Sequence, residues 1–356
     1  MRPSRIELDG SALINNLNVA KRLAPNSKVV AMVKANAYGH GLEFAVRLLG
    51  DKVSALGVAC IEEAIAIRQL GIKTDVVLFE GFFASDELLL IEKYDFQVAI
   101  HNEVQLQQVL THPWQKPITV WIKINTGMNR LGFKPLALTD VHAAVRACKN
   151  VGNIRIMTHF AQADELNVNK TPQQIEEFLK VAKPLDESLS LANSAGILGW
   201  KAAHADFIRP GIMLYGSSPF FDKPANQLGL QSVMHFNSGV IALHQLFPGQ
   251  AVGYGAKWQA KRKSTIAVVA VGYGDGYPRV VGPSARVFIN GCYAPLVGRV
   301  SMDMLTIDVT DVPNTKLGDA VELWGKHVCI DEVANHAGTI GYELMCKVTS
   351  RVLGGK

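Results

Sequence analysis

Val29-Val30-Ala31-Met32-Val33-Lys34-Ala35-Asn36-Ala37-Tyr38-Gly39-His40-Gly41 is the stretch on which the fold turns. Five apolar residues run without alternation, the pattern of a strand covered on both faces, and the Gly and His beyond them read as loop. Strands of this kind belong to parallel sheets with helices packed on them. Further apolar runs follow at 55–59, 75–79, 97–100, 118–124, 154–158, 189–192 and 207–208. Amphipathic stretches with a 3.6-residue period, at 11–23, 41–49, 61–70, 102–110, 138–149 and 172–183, lie between them. Eight strands at this spacing predict a closed (β/α)8 barrel of TIM type. A doubly wound sheet alternates in the same way, and periodicity alone does not separate the two.

Near Gly229 the texture changes. Short Val/Ile-rich strands at 239–243, 264–271, 285–289, 304–309 and 320–323 are broken by Gly, Pro and Asp turns, which predicts a mostly β C-terminal domain. A barrel uses about 250 residues, so roughly a hundred remain for such a domain. The expected division is a barrel over 1–230 and a β domain over 231–356, with the first ten or so residues pairing with the β domain. The connector is Ser217–Leu230, which contains Pro219, Pro224, Asn226 and Gly229.

The chain has 356 residues, 48% hydrophobic and 19% charged, an ordinary globular composition. Its formal charge of +5 comes from 36 basic and 31 acidic residues without a block of like charge, so nucleic acid is not an expected partner. Five scattered cysteines, none in Cys-x-x-Cys spacing, read as reduced thiols. The start lacks the apolar core of a signal peptide, and no run approaches the length of a membrane span. A cytoplasmic protein that does not enter membranes is expected.

In a barrel, chemistry sits where the strands end. Lys34, Asn36, Tyr38 and His40 follow the first strand, and Lys123, Asn125 and Arg130 the fifth. His159 follows the sixth, Asn193 and Ser194 the seventh, and Arg209, Gly211 and Ile212 the eighth. A lysine half buried at a strand end is desolvated, which disfavours the ammonium and makes a Schiff-base nucleophile. Ser194 and Gly211 fit the phosphate site that barrels build after their last two strands. Together they point to pyridoxal phosphate, with no metal.

Six blocks carry a resemblance to the alanine racemases. They are the stretch from Met32 to Gly41, then Thr-Gly-Met-Asn-Arg-Leu-Gly at 126–132 and Ile-Arg-Pro-Gly-Ile-Met-Leu-Tyr-Gly at 208–216. Val-Gly-Tyr-Gly at 252–255, Gly-Tyr-Gly-Asp-Gly-Tyr-Pro-Arg at 272–279 and Gly-Arg-Val-Ser-Met-Asp-Met at 298–304 complete the set. The resemblance implies a homodimer that interconverts L- and D-alanine by two-base proton transfer, supplying D-alanine for peptidoglycan. A racemase of broader specificity on the same fold is the alternative. It further implies that Lys34 carries pyridoxal phosphate and is one base, and that Tyr254, from the partner subunit, is the other. Tyr38, Ser194, Gly211, Ile212 and Tyr342 would surround the phosphate. Arg209 would face the pyridine nitrogen, and His159 would link it to Tyr254. Arg130, with the backbone N–H of Met302 from the partner chain, would bind the substrate carboxylate. Lys123 matches a lysine carried as a carbamate in many members. Tyr273, Tyr277, Arg279 and Arg299 are either approach residues or turn residues.

Overall fold

The computed structural model describes residues 2–282 and 284–353. Among the described residues seventeen strands run, in chain order, β1 (Arg5–Leu8), β2 (Lys28–Met32), β3 (Ala55–Val58), β4 (Asp75–Leu78), β5 (Phe96–Ile100), β6 (Ile118–Lys123), β7 (Val151–Met157), β8 (Ser188–Ser190), β9 (Phe207–Ile208) and β10 (Met234–Leu246). They continue with β11 (Ala251–Val252), β12 (Trp258–Gln259), β13 (Ser264–Val269), β14 (Arg286–Ile289), β15 (Cys292–Pro295), β16 (Leu305–Asp308) and β17 (Ala320–Trp324). The chain forms two compact units, one of residues 14–214 and one of the residues up to 13 and from 215 onward.

In the first unit β2 to β9 close into a barrel of parallel strands, each paired with the next and β9 with β2. This decides between the barrel and the doubly wound sheet. The closing pair is what separates them, while the apolar runs fit either: β3 and β5 are buried along their whole length, covered inside and outside. Helices such as Leu42–Leu49, Ile61–Gln69 and Lys170–Ala182 cover the outside.

The barrel interior is layered. Gln97 takes hydrogen bonds from Trp121 Nε1 (2.9 Å) and Arg155 (3.0 Å) and donates to Asp75 (2.7 Å), a polar layer toward the strand starts. Trp121 packs edge-on against Phe79 and Phe207 at 5.6 and 5.3 Å between ring centres, and this aromatic plug is the floor of the barrel mouth. Lys123, two residues beyond Trp121 and therefore on the same side of β6, stands above that floor.

The second unit is an antiparallel sheet in the order β15-β14-β17-β10-β13-β16, with β1 also on β10. β10, thirteen residues long, pairs with β1 and β17 in its first half and β13 in its second, and its pairing slips between Phe236 and Asn237 and again between Val240 and Ala242. Its core is aromatic: Trp324 meets Phe236 edge-on at 4.8 Å and stacks with Tyr277 at 6.0 Å. Burial pushes the Tyr277 phenol pKa up, so this tyrosine belongs to the core rather than to a substrate approach or a solvated turn. The connector after Gly216 is held by Asp331, whose carboxylate accepts from Ser217 Oγ and from the N–H groups of Ser218 and Ala225. Among the described residues no helix is long and apolar enough to cross a membrane.

Candidate active site

The strand before Lys34 ends in a backbone form that its sequence gives no reason to expect. Ala35, Asn36, Ala37 and Tyr38 have φ of 53 to 54°, and Gly39 follows at 82°, so Lys34 leads straight into a left-handed turn. Left-handed backbone costs a residue with a Cβ about 1–2 kcal/mol, so a run of four persists only where its surroundings enforce it. Here the N–H of Ala37 bonds the Val33 carbonyl (2.9 Å), Gly39 bonds Ala35 (3.1 Å) and Gly41 bonds Asn36 (3.0 Å). Side chains add to these: Asn36 Oδ1 accepts from Leu42 N–H at 2.8 Å, and Glu63 accepts from Ala35 N–H at 2.6 Å. Nδ1 of buried His40 lies 3.0 Å from the Tyr38 carbonyl and 3.2 Å from that of Ala37. Burial pulls the His40 pKa down to about 4, so at neutral pH the ring is an uncharged donor to those carbonyls.

The turn delivers Tyr38 to the loops after β8 and β9. A Cβ on Gly211 would come within 2.6 Å of the Tyr38 hydroxyl, so a larger residue there would have to push that hydroxyl aside. Ser194 Oγ accepts from Gly211 N–H (2.9 Å) and Met213 N–H (3.3 Å). A helix cap is the ordinary reading of such a serine, but Asn193 holds that role here, accepting from Gly196 N–H. Ile212 is fully buried beside Gly211. Tyr38, Ser194, Gly211 and Ile212 thus form one cluster of hydroxyls and backbone at the barrel's C-terminal end.

Arg209 lies across the mouth, 3% exposed. It donates to Ser190 Oγ (2.6 Å), Thr158 O (2.7 Å) and Leu191 O (3.1 Å), and its Nη2 is 3.5 Å from His159 Nδ1. Burial lowers its pKa to about 10, which leaves it charged at neutral pH. Lys123 is 7% exposed, with Nζ 3.4 Å from the Phe79 carbonyl. Its amine is pushed down to about 8, first by burial and then by Arg209, Arg130 and Lys34, with Glu80 opposing. His159 is held well below its usual range by burial and by four cations, the same three with Lys123 added. The structure therefore gathers Lys34, Lys123, Arg130, His159 and Arg209 in one field of positive charge, with exposed Arg130 at its edge. Such a field attracts small anions.

Tyr254, Met302 and Tyr342 lie in the other unit. Tyr254 is 72% exposed between Gly253 and Gly255, whose φ of 71 and 74° lift the tyrosine out of the loop. With Arg299, Ser301 and Met304 it lines an open cleft of about 490 Å³. Met302, 54% exposed, sits in the turn closed by Ser301 and Met304, and its carbonyl accepts from Gly274 N–H at 2.9 Å. That turn is held by ion pairs the sequence does not announce. Asp275, fully buried, takes a two-pronged contact from Arg2 (2.9 and 2.7 Å) and lies 3.4 Å from Arg351, while Arg2 also bonds the Asp303 carbonyl and Arg351 the Asp303 side chain. Tyr342 is half-buried at the start of the helix Gly341–Cys346.

Residues 8–219 match the family model described as alanine racemase, N-terminal domain, and residues 233–353 match alanine racemase, C-terminal domain. The chain is 48% identical over 352 residues to an alanine racemase of Legionella pneumophila (strain Lens), covering 99% of each sequence. It superposes on the biosynthetic alanine racemase from Pseudomonas aeruginosa with a TM-score of 0.95 at 44% identity, covering 99% of each chain. It also matches the alanine racemase from Bartonella henselae with covalently bound pyridoxal phosphate, with a TM-score of 0.89 at 26% identity and 99% coverage of each. On these grounds, and with a cation-lined barrel mouth ending in Lys34, the chain belongs to the alanine racemase family over essentially its whole length.

Proposed function

We propose that this racemase interconverts L- and D-alanine by two-base proton transfer at Cα, as a homodimer whose barrel mouth holds pyridoxal phosphate on Lys34. The observation that carries the proposal is the convergence of Lys34 and a buried, charged Arg209 on Lys123 and His159, beside a cluster of hydroxyls and backbone where a Cβ on Gly211 would meet the Tyr38 hydroxyl. That donor set suits the cofactor. The Tyr38 and Ser194 hydroxyls and the Ile212 N–H would take the phosphate, joined by the Gly211 N–H once it turns from Ser194 Oγ, with Tyr342 completing the shell. When bound, the cofactor supplies an electrophilic carbon for the substrate amine and a conjugated ring that spreads the charge developing at Cα.

The residues of this chain set how that chemistry runs. Arg209 has only donors and keeps its proton at neutral pH, so it would offer a pyridine nitrogen facing it a donor and oppose that nitrogen's protonation. By doing so Arg209 would weaken the cofactor as an electron sink and favour prompt return of the proton over side reactions. A single base would return it to the face it left. Two bases on opposite faces are required, and Lys34 with Tyr254 of the partner subunit is the pair we assign. Tyr254 is a phenol and needs support for its anion. His159 is neutral and meets Arg209 through Nδ1, which must then accept, so the proton sits on Nε2 and is free to be donated to the phenolate. Arg130 and the Met302 N–H of the partner subunit take the substrate carboxylate. Lys123, with its amine near 8, is partly neutral at physiological pH, the form that adds carbon dioxide to give a carbamate. The carbamate would replace one of four crowded cations with an anion beside Arg130 and Arg209.

The test is direct. Borohydride reduction of the purified protein should abolish its visible absorbance and leave the pyridoxyl mass on the peptide containing Lys34. A colourless protein, or label on another lysine, would sink the assignment.

A further inference from the structure

We propose that Glu63 is a positioning residue for the cofactor site, fixing the left-handed turn that aims Lys34 and Tyr38. This rests on the reading that Lys34 carries the cofactor. Glu63 stands in the first turn of the helix Ile61–Gln69, a position whose carboxylate ordinarily returns to the cap residue's own N–H. Here it leaves that pattern. Oε1 accepts from Ala35 N–H at 2.6 Å and Oε2 from Ala59 N–H at 2.9 Å, so one carboxylate bridges the residue after Lys34 and the residue after β3.

The bridge falls where the backbone most needs it. Ala35 is the first of four consecutive non-glycine residues in the left-handed region, and its N–H is the donor nearest Lys34. Asn36 and His40 act further along the turn, on Leu42 N–H and on the Ala37 and Tyr38 carbonyls. Glu63 alone among these side chains anchors the Lys34 end to a neighbouring strand. Without it the turn is free to relax toward ordinary backbone, and Lys34 and Tyr38 lose the spacing that lets one reach the cofactor's aldehyde while the other reaches its phosphate.

The experiment is a spectrophotometric titration of apo-protein with pyridoxal phosphate, comparing wild type, Glu63→Ala, Glu63→Gln, Ala35→Gly and the Glu63→Ala/Ala35→Gly double variant. Glu63→Ala should bind roughly ten-fold more weakly or worse. Glu63→Gln, which keeps one acceptor but confronts Ala35 or Ala59 with an amide NH2, should fall between. Glycine enters the left-handed region without the Cβ penalty, so Ala35→Gly should recover much of the lost affinity in the Glu63→Ala background. Unchanged affinity in Glu63→Ala overturns the inference, as does a loss that glycine leaves undiminished. If Glu63→Ala does not fold, the same comparison is made with Glu63→Gln and its Ala35→Gly double. Borohydride labelling of Lys34 in wild type separates the two readings: no label there defeats the cofactor assignment itself, whereas label with wild-type affinity in Glu63→Ala defeats only the role of Glu63.

Discussion

At the barrel mouth, Lys123 and Arg209 are buried, their pKa values pulled to about 8 and about 10, and each is tied to backbone carbonyls. On the loops of the β unit, Tyr254 and Met302 are more than half exposed and are aimed by positive-φ glycines and a cluster of ion pairs. The difference teaches that the two regions are completed in different ways. The barrel's groups are desolvated by their own fold, so their chemistry is set before anything binds. For Tyr254 to act as a base, another surface must cover it and supply charge, and this is the physical case for a site shared between subunits.

The largest effect expected is on that sharing. Tyr254→Phe should lower racemisation by roughly two to four orders of magnitude. Both directions must fall together, since the equilibrium constant between enantiomers is one. Exchange of the Cα proton with deuterated solvent is the sharper readout, because it should survive for the enantiomer deprotonated by Lys34 and vanish for the other. Mixing Lys34→Ala chains with Tyr254→Phe chains tests the subunit assignment. With two-fold symmetry and random pairing, half the dimers are hybrids and each hybrid has one intact site, so about one quarter of the wild-type activity should return. No recovery after subunit exchange is shown by mass would break the comparison.

The ion pairs beneath Met302 come next. Asp275→Asn leaves Arg2 and Arg351 facing a neutral group where a buried carboxylate stood, which should cost about 2 kcal/mol, less than a fully buried pair because both arginines are partly exposed. If the network positions the Met302 turn for the substrate carboxylate, KM should rise more than kcat falls. An equal fall in kcat/KM carried by kcat alone would make the network a scaffold only. Binding of pyridoxal phosphate in the barrel should be unaffected.

The barrel was legible because its strands are covered on both faces and so read as unbroken apolar runs, from Val29 to Ile208. The helix Glu87–Tyr94 is harder to read, since Leu88-Leu89-Leu90-Ile91 is apolar all round and blurs the 3.6-residue period. In the β unit the helices Ile330–His336 and Gly341–Cys346 hide among strand signals because each is only about two turns long. The left-handed turn could not be read at all. Ala-Asn-Ala-Tyr holds no glycine, and the side-chain contacts that help hold it, from Glu63, Asn36 and His40, are distant in sequence or unremarkable locally. Glu63 itself looks like any first-turn acid on a helix. Asp275, by contrast, lies within a recognisable block, but its partners Arg2 and Arg351 stand at the two ends of the chain, beyond the reach of any local pattern.

The smallest effect, and the one that probes the barrel side by itself, concerns Lys123. Its folded pKa of about 8 lies below the unfolded value of 10.5, so between those values the unfolded chain binds more protons than the folded one. Stability must therefore rise with pH across that window, and below pH 8 the buried ammonium costs its full amount, on the order of 3 kcal/mol. Lys123→Met removes the charge at nearly constant volume. In the cofactor-free protein at pH 7, kept free of carbon dioxide, it should raise stability by up to about 3 kcal/mol, measured by urea unfolding. The advantage should shrink steadily from pH 8 toward 10.5, because wild type then sheds the same charge by itself. Added bicarbonate should stabilise wild type and leave Lys123→Met unmoved, since only a neutral amine at position 123 can take up carbon dioxide. A wild type that stays at its unmodified mass under gentle ionisation, and gains nothing from bicarbonate, would show that Lys123 works as a plain amine and that its neighbours Arg130 and Arg209 are oriented without an anion between them.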